Sequence, residues 1–269
     1  MIRARQAYAL ATGAPAAGNE LNLDHYLGQP LPFARELLRY FRRDERIVIF
    51  DIGSCEAEDS IRLKRRFQNA SVYAFEPLPR NVEMMRRNLT RFGMDDVVVV
   101  PVALSNADSM ATFHVSSGRP DHVPVNDDWD YGNKSSSLLP PGRTHEVSPW
   151  LKFEEAIVVE TLRLDTFCSS HSIASIDLAY IDVQGAELLV LEGAGEYLDR
   201  IGMIWMEVEA IELYAGQPLQ DDVERFMQAQ GFRRLKDTVG GIAGDQLYVN
   251  RSLIQLPLAT RIANRLRGR

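Results

Sequence analysis

Apolar and polar residues follow two rhythms along this chain, and the rhythms alternate. Phe33, Leu37, Leu38 and Phe41 recur at helical spacing, which predicts an amphipathic helix over 32–43. Ile47-Val48-Ile49-Phe50 then forms a continuous apolar run, the pattern of a strand buried on both faces of a parallel sheet. A polar helix at 57–67, a strand at 71–75, a helix at 80–92 and a strand at 97–102 come next. The alternation returns with a strand at 176–181, a helix at 185–198, a strand at 201–208 and a helix at 219–230. Such alternation with short connections implies right-handed crossovers and a Rossmann-like, doubly wound α/β sheet. Strands at 232–236 and 246–249 flank the glycine-rich stretch from Asp237 to Asp245, which predicts a hairpin. The sheet is therefore expected to be seven-stranded and mostly parallel, with an antiparallel edge.

An insertion at 106–160, after the third strand, breaks this rhythm. Met110–Val115 and Ala156–Leu164 read as short strands, and 116–150 as a loop with five prolines and the acidic cluster Asp127, Asp128 and Asp130. A loop of that length is either a functional lid or a disordered segment. The chain thus divides into an N-terminal arm and helix (1–46, loose over 1–30), a catalytic-type domain (47–250) and a basic C-terminal tail (251–269). The tail carries Arg251, Arg261, Arg265, Arg267 and Arg269 and no acid, with Leu258, Ile262 and Leu266 on one helical face. That face suits an anionic membrane surface, or else a terminal helix docked on its own acidic body.

Composition narrows the partners. The net charge of −7 argues against a nucleic acid as ligand, and 45% hydrophobic residues suit one substantial core. Cys55 and Cys168 are the only cysteines, which implies no disulfide framework and fits the cytoplasm. Arg3 and Arg5 precede the apolar Ala7–Ala11, but that run is too short for a signal peptide, and Gly13 and Pro15 break up the residues after it.

Candidate chemistry gathers at the strand ends. Asp51-Ile52-Gly53-Ser54 closes the first strand, where Gly53 would let the backbone approach a ligand and the next helix would offer its amides. An ordinary strand-to-helix turn could look the same. Glu76, with Pro77 after it, ends the second strand about 20 residues further on, where a carboxylate holds the hydroxyls of a nucleoside ribose. The loop 51–60 has one glycine, against the three of a nicotinamide fingerprint, which disfavours a dehydrogenase. Ala103 and Leu104 offer apolar surface for an adenine. Asp182 ends the fourth strand in the same crevice, and Glu207 and Glu209 share one face of the fifth. For Glu187, at the start of the next helix, capping is the plainer reading.

Phe75-Glu76-Pro77, the run from Asp182 to Leu188 and the run from Leu213 to Leu219 together resemble the FkbM family of methyltransferases, as do Val48–Ser60, Val98–Asn106 and Ser135–Leu139. The resemblance implies a class I methyltransferase fold with S-adenosylmethionine in the crevice, held by Asp51, Gly53, Ser54, Glu76, Pro77, Ala103, Leu104 and Asp182. It also implies O-methylation of a sugar, glycolipid or natural-product hydroxyl, a small-molecule or glycan acceptor. The chain departs from the family at Ala57, where a second glycine is common, at Cys55 and Glu56, and at Tyr180 and Gln184, which replace a Lys and a Glu.

A hydroxyl is a poor nucleophile at neutral pH, so a base or a metal should assist. Asp182 is the first candidate for the base and Glu207 the second. Asp182, Glu207 and Glu209 are also hard oxygen ligands for Mg2+, should they converge. The resemblance implies Ser136 and Ser137, with Ser135, on the acceptor side. His145 is a further substrate-binding candidate, and His114, His122 and His145 are candidate bases should the insertion fold over the site. A frame kept for cofactor or partner binding without catalysis is the alternative reading.

Overall fold

The computed structural model describes residues 22–121, 123 and 129–253. The elements begin with α1 (Leu23–Gly28), α2 (Ala34–Tyr40), β1 (Val48–Ile52), α3 (Glu58–Arg66), β2 (Ser71–Phe75) and α4 (Pro79–Arg91). Next come β3 (Val98–Val100), β4 (Ala103–Ser105), β5 (Ser109–Ser117), α5 (Thr144–Val147), β6 (Lys152–Arg163) and α6 (Leu164–Ser170). The chain continues with β7 (Ile176–Ile181), α7 (Glu187–Ala194), β8 (Ile201–Glu209), α8 (Gln220–Ala229), β9 (Phe232–Asp237) and β10 (Ala243–Asn250).

Seven strands form one sheet in the order β3-β2-β1-β7-β8-β10-β9. Strands β3, β2, β1, β7 and β8 pair in parallel, and the closing hairpin places β10 antiparallel to both β8 and β9. Both faces are covered, which is why these strands read as unbroken apolar runs. Ile49, Val72, Leu178 and Trp205 pack under α1–α4, while Phe50, Ile181, Met206 and Tyr248 pack under α6–α8. The chain order reverses between β1 and β7, so the crevice beyond their carboxyl ends is the place for a ligand.

Two expectations change. Residues 22–30 are not a loose arm. Asn22 caps α1 through the backbone N–H of His25, and Leu23, Tyr26 and Leu27 are buried. The Tyr26 hydroxyl donates to Asp59 of α3, so this segment closes the sheet face that α3 alone would leave uncovered. The third strand is also shorter than expected. The chain turns at Pro101, and Ala103–Ser105 leaves the large sheet to pair with β6 in a second sheet of order β4-β6-β5. The β5–β6 pairing runs from Ser109 opposite Thr161 to Ser117 opposite Lys152, longer than the two short strands expected. Phe113, Val115 and Val159 face inward from this wing onto Leu78 and Ala103.

No helix among the described residues is long and apolar enough to cross a membrane. Asp127, Asp128, His122 and the tail beyond Leu253 lie outside the described residues.

Candidate active site

A cleft of about 540 Å³ opens at the carboxyl ends of β1, β2 and β7, roofed by residues 133–138 of the insertion. Its floor is built by a backbone contact. Gly53 adopts φ +83°, and a Cβ there would lie 1.9 Å from the carbonyl oxygen of Asp182. The glycine is therefore required by the end of β7, as well as by any ligand above it. The Asp182 N–H donates to the Ile52 carbonyl at 2.9 Å, which completes the seam between the two strand ends.

Asp51 and Ser54 do not line the cleft, contrary to the sequence expectation. Asp51 is buried beneath the turn, where its Oδ2 accepts from the hydroxyls of Ser54 and Ser60, both at 2.6 Å. It holds the turn to the first turn of α3. The residue that reaches the cleft here is Cys55. Cys55 and Ala57 both take positive φ, 51° and 68°, at positions where glycine would cost less.

Glu76 lines the cleft with both carboxylate oxygens anchored: Oε2 accepts from the Cys55 N–H at 3.0 Å and Oε1 from the Leu78 N–H at 2.8 Å. These two donations fix the orientation of the carboxylate on the cleft wall. Beside it, Pro77, Val102, Ala103, Leu104, Phe113 and Leu138 form an apolar slot. Turning the chain into the small sheet places Ala103 and Leu104 there, and Phe113 of β5 supplies a wall that sequence reasoning missed.

The roof is fastened by buried charge. The Lys134 ammonium lies 3.2 Å from Glu56 and 3.0 Å from Glu58, and 4.0 Å above the centre of the Trp129 ring. Glu56 is fully buried, and that burial pushes its carboxyl above the ordinary range despite the lysine. Asn133 donates both hydrogens of its amide, to Glu56 Oε1 and to Asn81 Oδ1, each at 3.0 Å. Its own Oδ1 is buried, belongs to a side chain lining the cleft, and has no hydrogen-bond partner. Neither Asn133 nor Lys134 stood out in the sequence, because a roof residue is recognised only by what lies beneath it.

At the opposite end Asp182 and Gln184 line the cleft. Gln184, at φ 56°, points its Nε2 between two carboxylates, donating to Asp182 Oδ1 at 2.7 Å and to Glu207 Oε2 at 2.6 Å. Its Oε1 accepts from the Tyr214 hydroxyl at 3.0 Å, which also reaches the Ser135 carbonyl at 2.8 Å. Glu207 is behind this amide and fully buried; burial first, and then the charge of Asp182, hold its carboxyl well above the ordinary range. Glu209 is raised likewise by burial. It accepts from Gln217 Nε2 at 2.9 Å, and Gln217 Oε1 in turn accepts the N–H groups of Leu213 and Tyr214. Glu187 accepts the N–H groups of Val183 and Gly185, so it braces the loop before α7 instead of capping the helix as expected, and burial pushes it up to about 7.

The structure thus brings Asp182 and Glu207 together across an amide, and ties Glu209 to a separate turn. Among the described residues no group of three or more His, Cys, Asp or Glu side chains could hold a metal ion, so the Mg2+ expectation finds no support. Ser136 lines the cleft, but Ser137 does not. Ser137 is buried, donating to the Gln184 carbonyl and accepting from the Leu139 N–H, so it braces the loop that carries Gln184. His145 is exposed on α5 and His114 is joined to Ser137 through the backbone; neither lines the cleft.

Known proteins similar to this chain include methyltransferases. A sequence profile described as the methyltransferase FkbM domain matches residues 51–234. The 2-O-methyltransferase NoeI of Sinorhizobium fredii is 34% identical over 207 residues, 77% of this chain and 80% of that protein. Methyltransferase 1 of Beauveria bassiana is 24% identical over 164 residues, 60% of this chain and 64% of that protein. Among solved structures, an O-methyltransferase of Bacillus cereus in complex with SAH is 16% identical and superposes with a TM-score of 0.46, over 93% of this chain and 91% of that one.

Proposed function

The chain belongs to the FkbM family of S-adenosylmethionine-dependent methyltransferases, and from that premise we propose that it methylates a hydroxyl oxygen of a sugar, glycolipid or natural product, with Asp182 as the base. When bound, S-adenosylmethionine supplies an electrophilic methyl group. The cleft suits that molecule in three places: the apolar slot at Ala103, Leu104 and Phe113 for the adenine, Glu76 for the ribose hydroxyls, and the floor at Gly53–Cys55 for the aminoacyl chain. The orphaned Oδ1 of Asn133 is a buried acceptor that a ligand donor would satisfy.

The observation that carries the reading is Asp182 on the cleft wall, with Gln184 fixing its carboxylate. Gln184 donates one hydrogen to Asp182 and one to Glu207, so the two carboxyls share a neutral donor and neither is driven away by the other. Burial and the neighbouring charge of Asp182 raise the proton affinity of Glu207 behind the amide, and Asp182, on the cleft wall, is the carboxyl group placed to face the acceptor. A hydroxyl hydrogen-bonded to Asp182 gives up its proton as its oxygen gains the methyl group; positioning contributes the rest of the acceleration. In this reading no magnesium takes part, because an amide N–H, which donates and does not ligate, sits between the two carboxylates. The 2-O-methyltransferase among the relatives supports oxygen as the methylated atom.

The test is transfer of labelled methyl from S-adenosylmethionine to a panel of glycans, glycolipids and simple sugars. Label that survives mild alkali marks an ether. Alkali-labile label, or label confined to amines, overturns the assignment to a hydroxyl.

A further inference from the structure

We propose that Asn133, in the roof of the insertion, is a direct ligand of the bound methyl donor, accepting through Oδ1 from an O–H or N–H on its ribose or aminoacyl half. The inference rests on the methyl-donor reading and adds to it a contact from outside the Rossmann-like frame.

The orientation of the Asn133 amide is not a free choice. Its nitrogen faces Glu56 Oε1 and Asn81 Oδ1, both acceptors, each at 3.0 Å. Turning the amide over would set oxygen against two oxygens, so Oδ1 must be the remaining atom. That atom is buried and without a partner, on a side chain that is 2% exposed and lines the cleft. A buried acceptor left unmatched costs about 1–3 kcal/mol, so a side chain held there by two donations needs a reason for its third group. Its neighbours say which part of a ligand lies below. Asn81 is in the first turn of α4, just after Glu76, and Glu56 comes directly after Cys55, whose N–H is bound to Glu76. Asn133 therefore stands beside the junction of the Glu76 carboxylate and the glycine turn. The donors a bound S-adenosylmethionine would bring to this region are its ribose hydroxyls and its ammonium.

The backbone is shaped to hold it there. A Cβ on Gly132 would lie 2.5 Å from the Gly118 carbonyl oxygen, so only glycine lets this segment lie so close to the end of β5. Asp130 accepts the Gly132 N–H at 2.8 Å, and Lys134 sits on the other side, between Glu56 and Glu58. The roof is thus pinned on each side of Asn133, with the acceptor between the pins.

The experiment is calorimetry of S-adenosylhomocysteine with the full chain, its Asn133→Leu and its Asn133→Asp variants, each checked for folding by thermal melting. Leu removes both functions of the amide; Asp keeps an acceptor and loses the donations to Glu56 and Asn81. The ligand role requires Leu to weaken binding by about tenfold and Asp to bind more tightly than Leu. Leu binding as the wild type does, or Asp binding no better than Leu, would overturn the proposal and leave a structural role. Methylthioadenosine, which lacks the ammonium, then locates the donor: a loss retained with this probe places it on the ribose, and a loss that disappears places it on the aminoacyl half. On the wild-type chain, S-adenosylhomocysteine must also slow amide hydrogen exchange across 130–137; no slowing counts against the contact whatever the variants do. Failure of the wild type to bind S-adenosylhomocysteine at all would instead strike the methyl-donor reading.

Discussion

At the end of the cleft assigned to the methyl donor, Glu76 on the cleft wall and Asp51 and Glu58 beneath and beside it receive hydrogens from two backbone N–H groups, two serine hydroxyls and the Lys134 ammonium. At the other end, Asp182, Glu187, Glu207 and Glu209 crowd together, and the donors described between them are two glutamine amides and a few backbone N–H groups. The first arrangement fixes Glu76 on the cleft wall for recognition, with Asp51 and Glu58 bracing the turn and the roof around it and Glu56, raised by its burial, behind them. The second raises the affinity of carboxylates for protons, as burial pushes Glu187 up to about 7 and Glu207 and Glu209 well above the ordinary range. One sheet therefore carries a binding end and a proton-handling end, separated by the seam at Gly53 and Asp182.

The sharpest way to break this comparison is at Asp182. Asp182→Asn keeps size and can still hydrogen-bond, yet it cannot take a proton, so turnover should fall by about 10²–10⁴ while S-adenosylhomocysteine binds within a few-fold. A fall of less than tenfold would move the proton chemistry elsewhere. The seam itself comes next. Gly53→Ala must displace the Asp182 carbonyl and tolerate a positive φ, a loss of roughly 3 kcal/mol or more that denaturant unfolding would register. An unchanged unfolding midpoint would mean that the strand ends part more easily than their packing suggests.

The proton-handling end makes its own demand on stability. Glu187 binds its proton more tightly folded than unfolded, so its contribution is complete below about pH 4.5 and is lost as pH rises through about 7. Melting temperature should decline over that window, and Glu187→Gln, which still accepts both N–H groups, should flatten the decline by roughly 2–4 kcal/mol. A parallel decline in the variant would show that Glu187 is not its source. At the binding end Glu76→Ala should weaken S-adenosylhomocysteine by about 1.5–3 kcal/mol in calorimetry, and equal affinity would remove the ribose assignment. The smallest effect expected is none: activity should be unchanged in excess EDTA, because Gln184 occupies the space between the carboxylates. Loss in EDTA with recovery in Mg2+ would mean that the amide gives way to a cation.

Most of the large sheet could be read along the chain, because strands buried on both faces are unbroken apolar runs and the helices between them alternate cleanly. Glu76, Pro77 and Asp182 could be placed in one crevice for the same reason: they follow strand ends, and parallel strands end together, whereas Ala103 and Leu104 reach it by turning into the small sheet. What escaped depends on contacts distant in sequence. Asp51 looked like a ligand residue because it ends a strand too, but Ser54 and Ser60 claim it from above. The small sheet was missed as a sheet because β5 and β6 are half exposed and separated by more than thirty residues, so their pairing leaves little mark on either segment. The roles of Asn133 and Lys134 depend on that sheet, and so on the same unseen pairing. Gln184 did stand out, as a departure from the family, but only the structure shows it standing between two carboxylates.

Tyr214 has one hydroxyl hydrogen and two acceptors within reach, the carbonyl of Ser135 in the roof and the Oε1 of Gln184 beside Asp182. Burial keeps that hydrogen in place, since the phenol is pushed well above its ordinary range. One hydrogen cannot be given in full to both, so the loop that covers the cleft and the amide that steers Asp182 compete for the same phenol, and a change at Tyr214 reaches both ends of the site at once.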